Sequence, residues 1–211
     1  MTIRLHTRAQ NSAGERVRIV LNLKNIEYEY VAIPTLSGPD YRALNPQGLM
    51  PTLEVDGQAI GQSMAIIELL EDLFPEPSIF PEDPMDRARV RAFAQGICAD
   101  LHPINNNRVR QYLTEVGGAD DDQVAAWYHH WAGRTFSSLE AMITAREVPY
   151  VYCFGDSPGL ADACLVPQIA NARRFNSNLE PYPRLVAIDQ ACQRLDAFKQ
   201  AAPWAQPDFE G

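Results

Sequence analysis

The sequence predicts an α/β layer followed by a helical bundle, and three observations carry that prediction. Strand-like alternation is concentrated in residues 1–80. Helical periodicity dominates the rest of the chain, and the proline-rich, acidic stretch from Pro75 to Pro84 separates the two. The expected division is therefore an α/β domain over 1–80, a linker over 81–86 and an all-helical domain over 87–211.

Each element has a local reason. Ile3-Arg4-Leu5-His6 alternates as a short strand, and after a polar loop from Arg8 to Gly14 the run Glu15 to Lys24 is an amphipathic helix. Tyr28 to Ile33 alternates again, with the β-branched and aromatic residues that suit a pleated surface. The turn-rich Pro34 to Pro39 leads to a short helical piece that ends at Asn45-Pro46. Leu53-Glu54-Val55 is a strand running into Asp56-Gly57, a pair that accepts positive φ and so turns the chain into a further strand. From Met64 to Phe74 the period changes, because Ile66, Ile67, Leu69, Leu70, Leu73 and Phe74 fall on a helical stripe. A β-α-β unit followed by strand, turn, strand and helix closes into one compact layer. Beyond it, helices are expected over Asp86–Cys98, Asn106–Thr114, Asp121–Ala145, Asp162–Phe175 and Tyr182–Phe198. Tyr150-Val151-Tyr152-Cys153 is the one further strand-like run.

Composition narrows the function. With 27 acidic against 18 basic residues, the net charge of −9 leaves no basic stripe to neutralise phosphates, so nucleic acid is not the expected partner. No apolar run approaches the ~20 residues of a membrane span, and Met1-Thr2-Ile3-Arg4 lacks a signal-peptide pattern. A cytoplasmic protein is expected. Cys98, Cys153, Cys164 and Cys192 lack metal-type spacing and read as reduced core thiols. His129-His130 are adjacent on a helix and diverge, so no metal site is expected.

The most informative feature is Gln62-Ser63, a polar pair at the mouth of a helix. Ser63 sits at or beside the N-cap, where free N–H groups and the positive dipole end face whatever enters. An anion, in particular a carboxylate, is the natural guest.

The resemblance to a known family rests on several runs in order. R-V-R-I-V-L-N-L-K, A-L-N-P-Q-G-L-M-P-T-L, Q-S-M-A-I-I-E-L-L-E, H-P-I-N-N, G-D-S-P-G-L-A-D-A-C-L-V-P-Q-I-A-N-A-R-R-F and L-x-P-Y-P together span nearly the whole chain. They resemble the zeta class of cytosolic glutathione transferases, which includes maleylacetoacetate and maleylpyruvate isomerases. The resemblance implies an N-terminal thioredoxin-like α/β domain, an all-α C-terminal domain, glutathione as cofactor and a homodimer. It implies that Met50-Pro51 is cis and that Met50 pairs with the cysteinyl part of glutathione. Gln62 and Ser63 would hold the γ-glutamyl carboxylate, while His102 and Asn106 of H-P-I-N-N would also touch glutathione. Arg174 would meet a substrate carboxylate, for which its permanently charged fork is suited. Adjacent Arg173 points about 100° away and is assigned to solvation and the helix dipole. Asp162 matches the acid of a capping motif, with Gly159 where Ser or Thr is usual, so half of the reciprocal box is missing.

One departure bears on the chemistry. The family's Ser-Ser-Cys-Ser-Trp, whose first Ser stabilises the glutathione thiolate, is here Asn11-Ser12-Ala13-Gly14-Glu15. Hydroxyl, amide and helix-end N–H groups can each stabilise a thiolate. Ser12 is the first choice and Asn11 the second. The arginine often found just before the family Ser is Gln10, which leaves Arg8 as the loop's candidate for a substrate carboxylate. The loop between Ile33 and Tyr41 is also shorter than is usual in the class.

The resemblance implies glutathione-dependent cis-trans isomerisation of a maleyl keto acid, a small carboxylate electrophile, by transient thiolate addition. Two alternatives stay open. One is conjugation or dehalogenation of another electrophile, and the other is a glutathione-binding module without turnover.

Overall fold

The computed structural model describes residues 1–145 and 150–210. They divide into two compact units, the first formed by Met1–Ile79 together with Gln193–Gly211 and the second by Phe80–Cys192.

The first unit begins with β1 (Ile3–Thr7), α1 (Ser12–Leu23), β2 (Glu29–Ala32) and α2 (Pro39–Leu44). β3 (Thr52–Val55), β4 (Gln58–Gly61) and α3 (Ser63–Leu73) come next. The strands form one sheet in the order β2-β1-β3-β4. β1 runs parallel to β2, as a helical crossover requires, and antiparallel to β3, which the Asp56-Gly57 turn folds back on β4. Both turn residues have positive φ, 46° and 83°. Leu5 and Leu53 meet across the sheet and, with Val17, Ile19, Val20, Leu21, Ile66, Ile67 and Leu70, form the buried core of this layer.

Residues 193–211 lie in the first unit, whereas the sequence placed them in the helical domain. The reason is hydrogen bonding as well as apolar packing. Arg18 is fully buried on α1, and its guanidinium donates to the carbonyls of Ala201, Arg8 and Ala9. Asn22 donates to Ala197, and Asp208 accepts from the Tyr30 hydroxyl and the Ala9 N–H.

The second unit is helical. It holds α4 (Pro84–Gln95), a π-helical turn (Gly96–Leu101), α5 (His102–Ile104), α6 (Asn107–Glu115), α7 (Asp121–Thr144), α8 (Leu160–Arg174) and α9 (Pro183–Cys192). The π-helical turn, wider than an α-turn, comes directly before His102-Pro103. Every residue of α8 from Leu160 to Ile169 is buried, so this helix is the centre of the unit. Asp162 accepts from the N–H groups of Gly159 and Cys153 at 2.9 Å each; Gly159, with no side chain, returns nothing. The expected half-box is what forms.

Two element predictions are corrected. Tyr150–Cys153 forms no strand, since its alternation finds no neighbouring strand to pair with. The expected helix over Tyr182–Phe198 is two helices, α9 and α10 (Asp196–Ala201), broken where the chain leaves the second unit for the first.

Candidate functional site

The sheet register gathers the first unit's candidate residues. Thr7, the last residue of β1, lies opposite Ala32, the last of β2; His6 pairs with Thr52, the first of β3; and Thr52 pairs with Gly61, the last of β4. The loop after β1, the loop after β2, the Met50-Pro51 step and the start of α3 therefore share one end of the sheet. The Met50-Pro51 bond is cis, as expected; Glu76-Pro77 is a second cis bond that the sequence reading did not identify.

At this end α3 presents an uncapped N-terminus. Ser63 is its first helical residue and is buried, and Gln62 occupies the cap position with φ 70° and ψ 112° and no side-chain cap bond. Positive φ in a non-glycine residue costs free energy, and such positions cluster where a ligand is gripped. No acidic residue lies in the first turn, so the N–H groups and dipole keep their pull on an anion. The Gln62 amide donates to Gln47 Oε1 at 2.8 Å. The Tyr41 hydroxyl and the Asn45 amide hold the approach to β3 by donating to the carbonyl of Leu49; both also lie 2.9 Å from Thr52 Oγ1.

The two thiolate candidates stand at the start of α1. Asn11 is the N-cap, and its amide oxygen accepts from Gly14, which leaves only its NH₂ for a ligand. Ser12 is the first helical residue. Gly14 allows this turn to settle on β1, since a Cβ there would collide with Thr7 Oγ1. Arg8 is committed elsewhere: its guanidinium donates to the carbonyls of Ile33 and Pro34, tying the loop after β1 to the loop after β2.

In the second unit, His102 opens α5, and the Asn106 side chain caps α6 by accepting from Arg108 N–H at 3.2 Å. Asn105 is buried, with neither amide atom hydrogen-bonded. Arg173 and Arg174 part as their spacing requires. Arg173 goes beyond the solvation role assigned to it and forms an ion pair at 2.7 Å with the buried carboxylate of Asp189. Arg174 is exposed and lies 5.3 Å from the centre of the Phe175 ring.

The sequence reading missed Arg110, whose guanidinium stacks on the same ring at 4.3 Å. Burial, and then the charge of Arg174, lower its pKa below the ordinary arginine value. The Phe175 ring lies 4.3 Å from that of Tyr128, whose hydroxyl donates to Asn171 at 2.6 Å and which burial keeps neutral by pushing its pKa up. Arg110 lies one helical turn beyond Asn106 and Asn107, but among scattered charges that spacing is no signal by itself, since the ring beneath it comes from a distant part of the chain.

Residues 10–78 match the model of the glutathione S-transferase N-terminal domain. Along nearly its full length the chain is 44% identical to a maleylpyruvate isomerase of a Ralstonia species, over 98% of this chain and 99% of that one. It is 42% identical, over 99% of each, to a probable maleylacetoacetate isomerase of Vibrio cholerae. A solved holo structure of a maleylpyruvate isomerase, described as a bacterial zeta-class glutathione transferase, superposes with a TM-score of 0.96 at 44% identity, covering 98% and 100% of the two chains. The chain is a zeta-class glutathione transferase. A second solved relative of this transferase, the maleylacetoacetate isomerase of Anaeromyxobacter dehalogenans, carries glutathione in its active site; the TM-score is 0.87 at 38% identity, over 99% and 98% of the chains. An uncapped, acid-free helix mouth beside the start of β3 fits a peptide-like carboxylate of that kind. No helix among this transferase's described residues is long and apolar enough to cross a membrane.

Proposed function

We propose that this transferase is a glutathione-dependent cis-trans isomerase of a maleyl keto acid of the maleylpyruvate or maleylacetoacetate type. The observation that carries the proposal is Arg174, a guanidinium with no carboxylate partner among the described residues in a chain otherwise rich in acids. It is suited to an electrophile that bears a carboxylate, and full-length likeness to isomerases of such acids supports the reading.

Glutathione supplies a thiolate that adds reversibly to the activated double bond, so that rotation can occur before the thiolate leaves. The α3 N-terminus, with Gln62 and Ser63, holds the γ-glutamyl carboxylate, and Met50 supports the cysteinyl part. Ser12, with the Asn11 NH₂ beside it, donates to the sulfur and so favours its anion. His102 and Asn106 contribute from the helical unit, and Arg174 orients the electrophile by its carboxylate. Arg8 holds the loops after β1 and β2 together and contributes positive charge near the sheet end. The protein works as a homodimer in the cytoplasm, which gel filtration against standards and cell fractionation would test.

The decisive experiment mixes the protein with glutathione and maleylpyruvate, follows the substrate's enol absorbance and titrates the remaining thiol. Loss of absorbance with thiol unchanged is expected. A mole-for-mole fall in thiol would show conjugation instead, and no loss of absorbance would overturn the proposal.

A further inference from the structure

We propose that Arg110 is a second carboxylate-binding residue, forming with Arg174 a two-guanidinium clamp built on Phe175. The inference rests on the reading that this transferase acts on a carboxylate electrophile, and it assigns the recognition of that group to two arginines.

Four observations support it. Both guanidinium carbons lie over one aromatic ring, 4.3 Å and 5.3 Å from its centre, so two like charges share a small space. Neither has a carboxylate partner among the described residues, although the chain carries 27 acids and the neighbouring Arg173 is paired at 2.7 Å. Arg110 is also oriented, not free to swing, since it donates to Asn107 Oδ1. Its Nε is buried and has no acceptor. Two cations at close quarters repel, and a buried guanidinium nitrogen without an acceptor adds to the cost of the arrangement. A carboxylate between them turns the repulsion into attraction, because its oxygens accept from two planar forks at once.

The surroundings favour a small carboxylate over a large polyanion. The ring under the pair, Phe175, lies 4.3 Å from that of Tyr128, so aromatic surface and not further cations adjoins the two guanidinium groups. His129 is turned toward the Phe175 carbonyl, with its Nε2 2.6 Å from that oxygen, so it does not compete for the anion.

The test uses the full chain saturated with glutathione and malonate as the carboxylate probe, with affinity read by titration calorimetry at several salt concentrations. Arg110→Met keeps most of the stem that packs on Phe175 and removes the charge. Malonate affinity should fall about tenfold or more and its salt dependence should flatten, while glutathione affinity holds. Arg110→Lys should recover part of the loss, as a charge without a fork. Malonate affinity within twofold of wild type in Arg110→Met would overturn the proposal. So would an equal loss of glutathione affinity, which would mark Arg110 as structural, or a wild type that binds no malonate at millimolar concentration. Turnover separates this proposal from the isomerase reading. Malonate binding that depends on Arg110 without isomerisation leaves the clamp and removes the reaction; isomerisation with malonate binding indifferent to Arg110 does the reverse.

Discussion

At the scale of single residues, the arginines divide by what they face. Arg173 and Arg174 are consecutive, yet one neutralises a buried aspartate while the other has no carboxylate partner among the described residues. Arg174→Ala should reduce kcat/KM for a carboxylate electrophile by about 2 kcal/mol, the size of a charge-assisted hydrogen bond, and leave glutathione affinity nearly intact. Steady-state kinetics with each substrate varied in turn checks this, and equal damage to both would mean that Arg174 does not hold the electrophile. The sequence revealed Arg174 through its run, and Gln62-Ser63 through a change of period. It did not reveal Arg110, because a charge among scattered charges acquires meaning only when a ring from another helix is brought beneath it. Nor did it reveal the backbone of Gln62, since a non-glycine residue in the left-handed region is imposed by the strand and helix that flank it.

At the scale of elements, helix termini decide most of what the site can do. α3 lacks both a cap bond and an acid in its first turn, and that lack is what suits it to an anion. Ala65→Glu places a carboxylate in that turn at an exposed position. Unfolding stability should rise by about 0.5 kcal/mol as the dipole gains a partner. Glutathione affinity should fall severalfold, because the new charge repels the γ-glutamyl carboxylate; a variant with unchanged affinity would place that carboxylate elsewhere. At α8 the opposite holds, since Asp162 satisfies two N–H groups from full burial. Asp162→Ala should cost about 2–4 kcal/mol in urea unfolding, with Asp162→Asn recovering part through its remaining oxygen. Periodicity made most of these elements legible, because each buries one face. It failed over Tyr182–Phe198, where the apolar pattern runs on while the body that buries it changes. A local pattern reports that a face is covered, not by what.

At the scale of the molecule, the two ends of the described chain belong to one body. Arg18 makes the point, for its three carbonyl partners come from residues 8, 9 and 201. Arg18→Met should destabilise the first unit by about 3 kcal/mol or more, since three buried acceptors lose their donor. Hydrogen exchange would show it as lost protection in β1 and α1 with α8 retained; uniform loss would mean that the two units unfold as one. The same layout bears on synthesis. A ribosome releases residues in order, and the helical unit from 80 to 192 is whole before residues 193–211 emerge. The α/β layer, although begun first, is completed last. Until then Arg18 waits for Ala201 and Tyr30 for Asp208; on the proposed assignment of the site, the half that recognises the electrophile is finished before the half that holds the thiol.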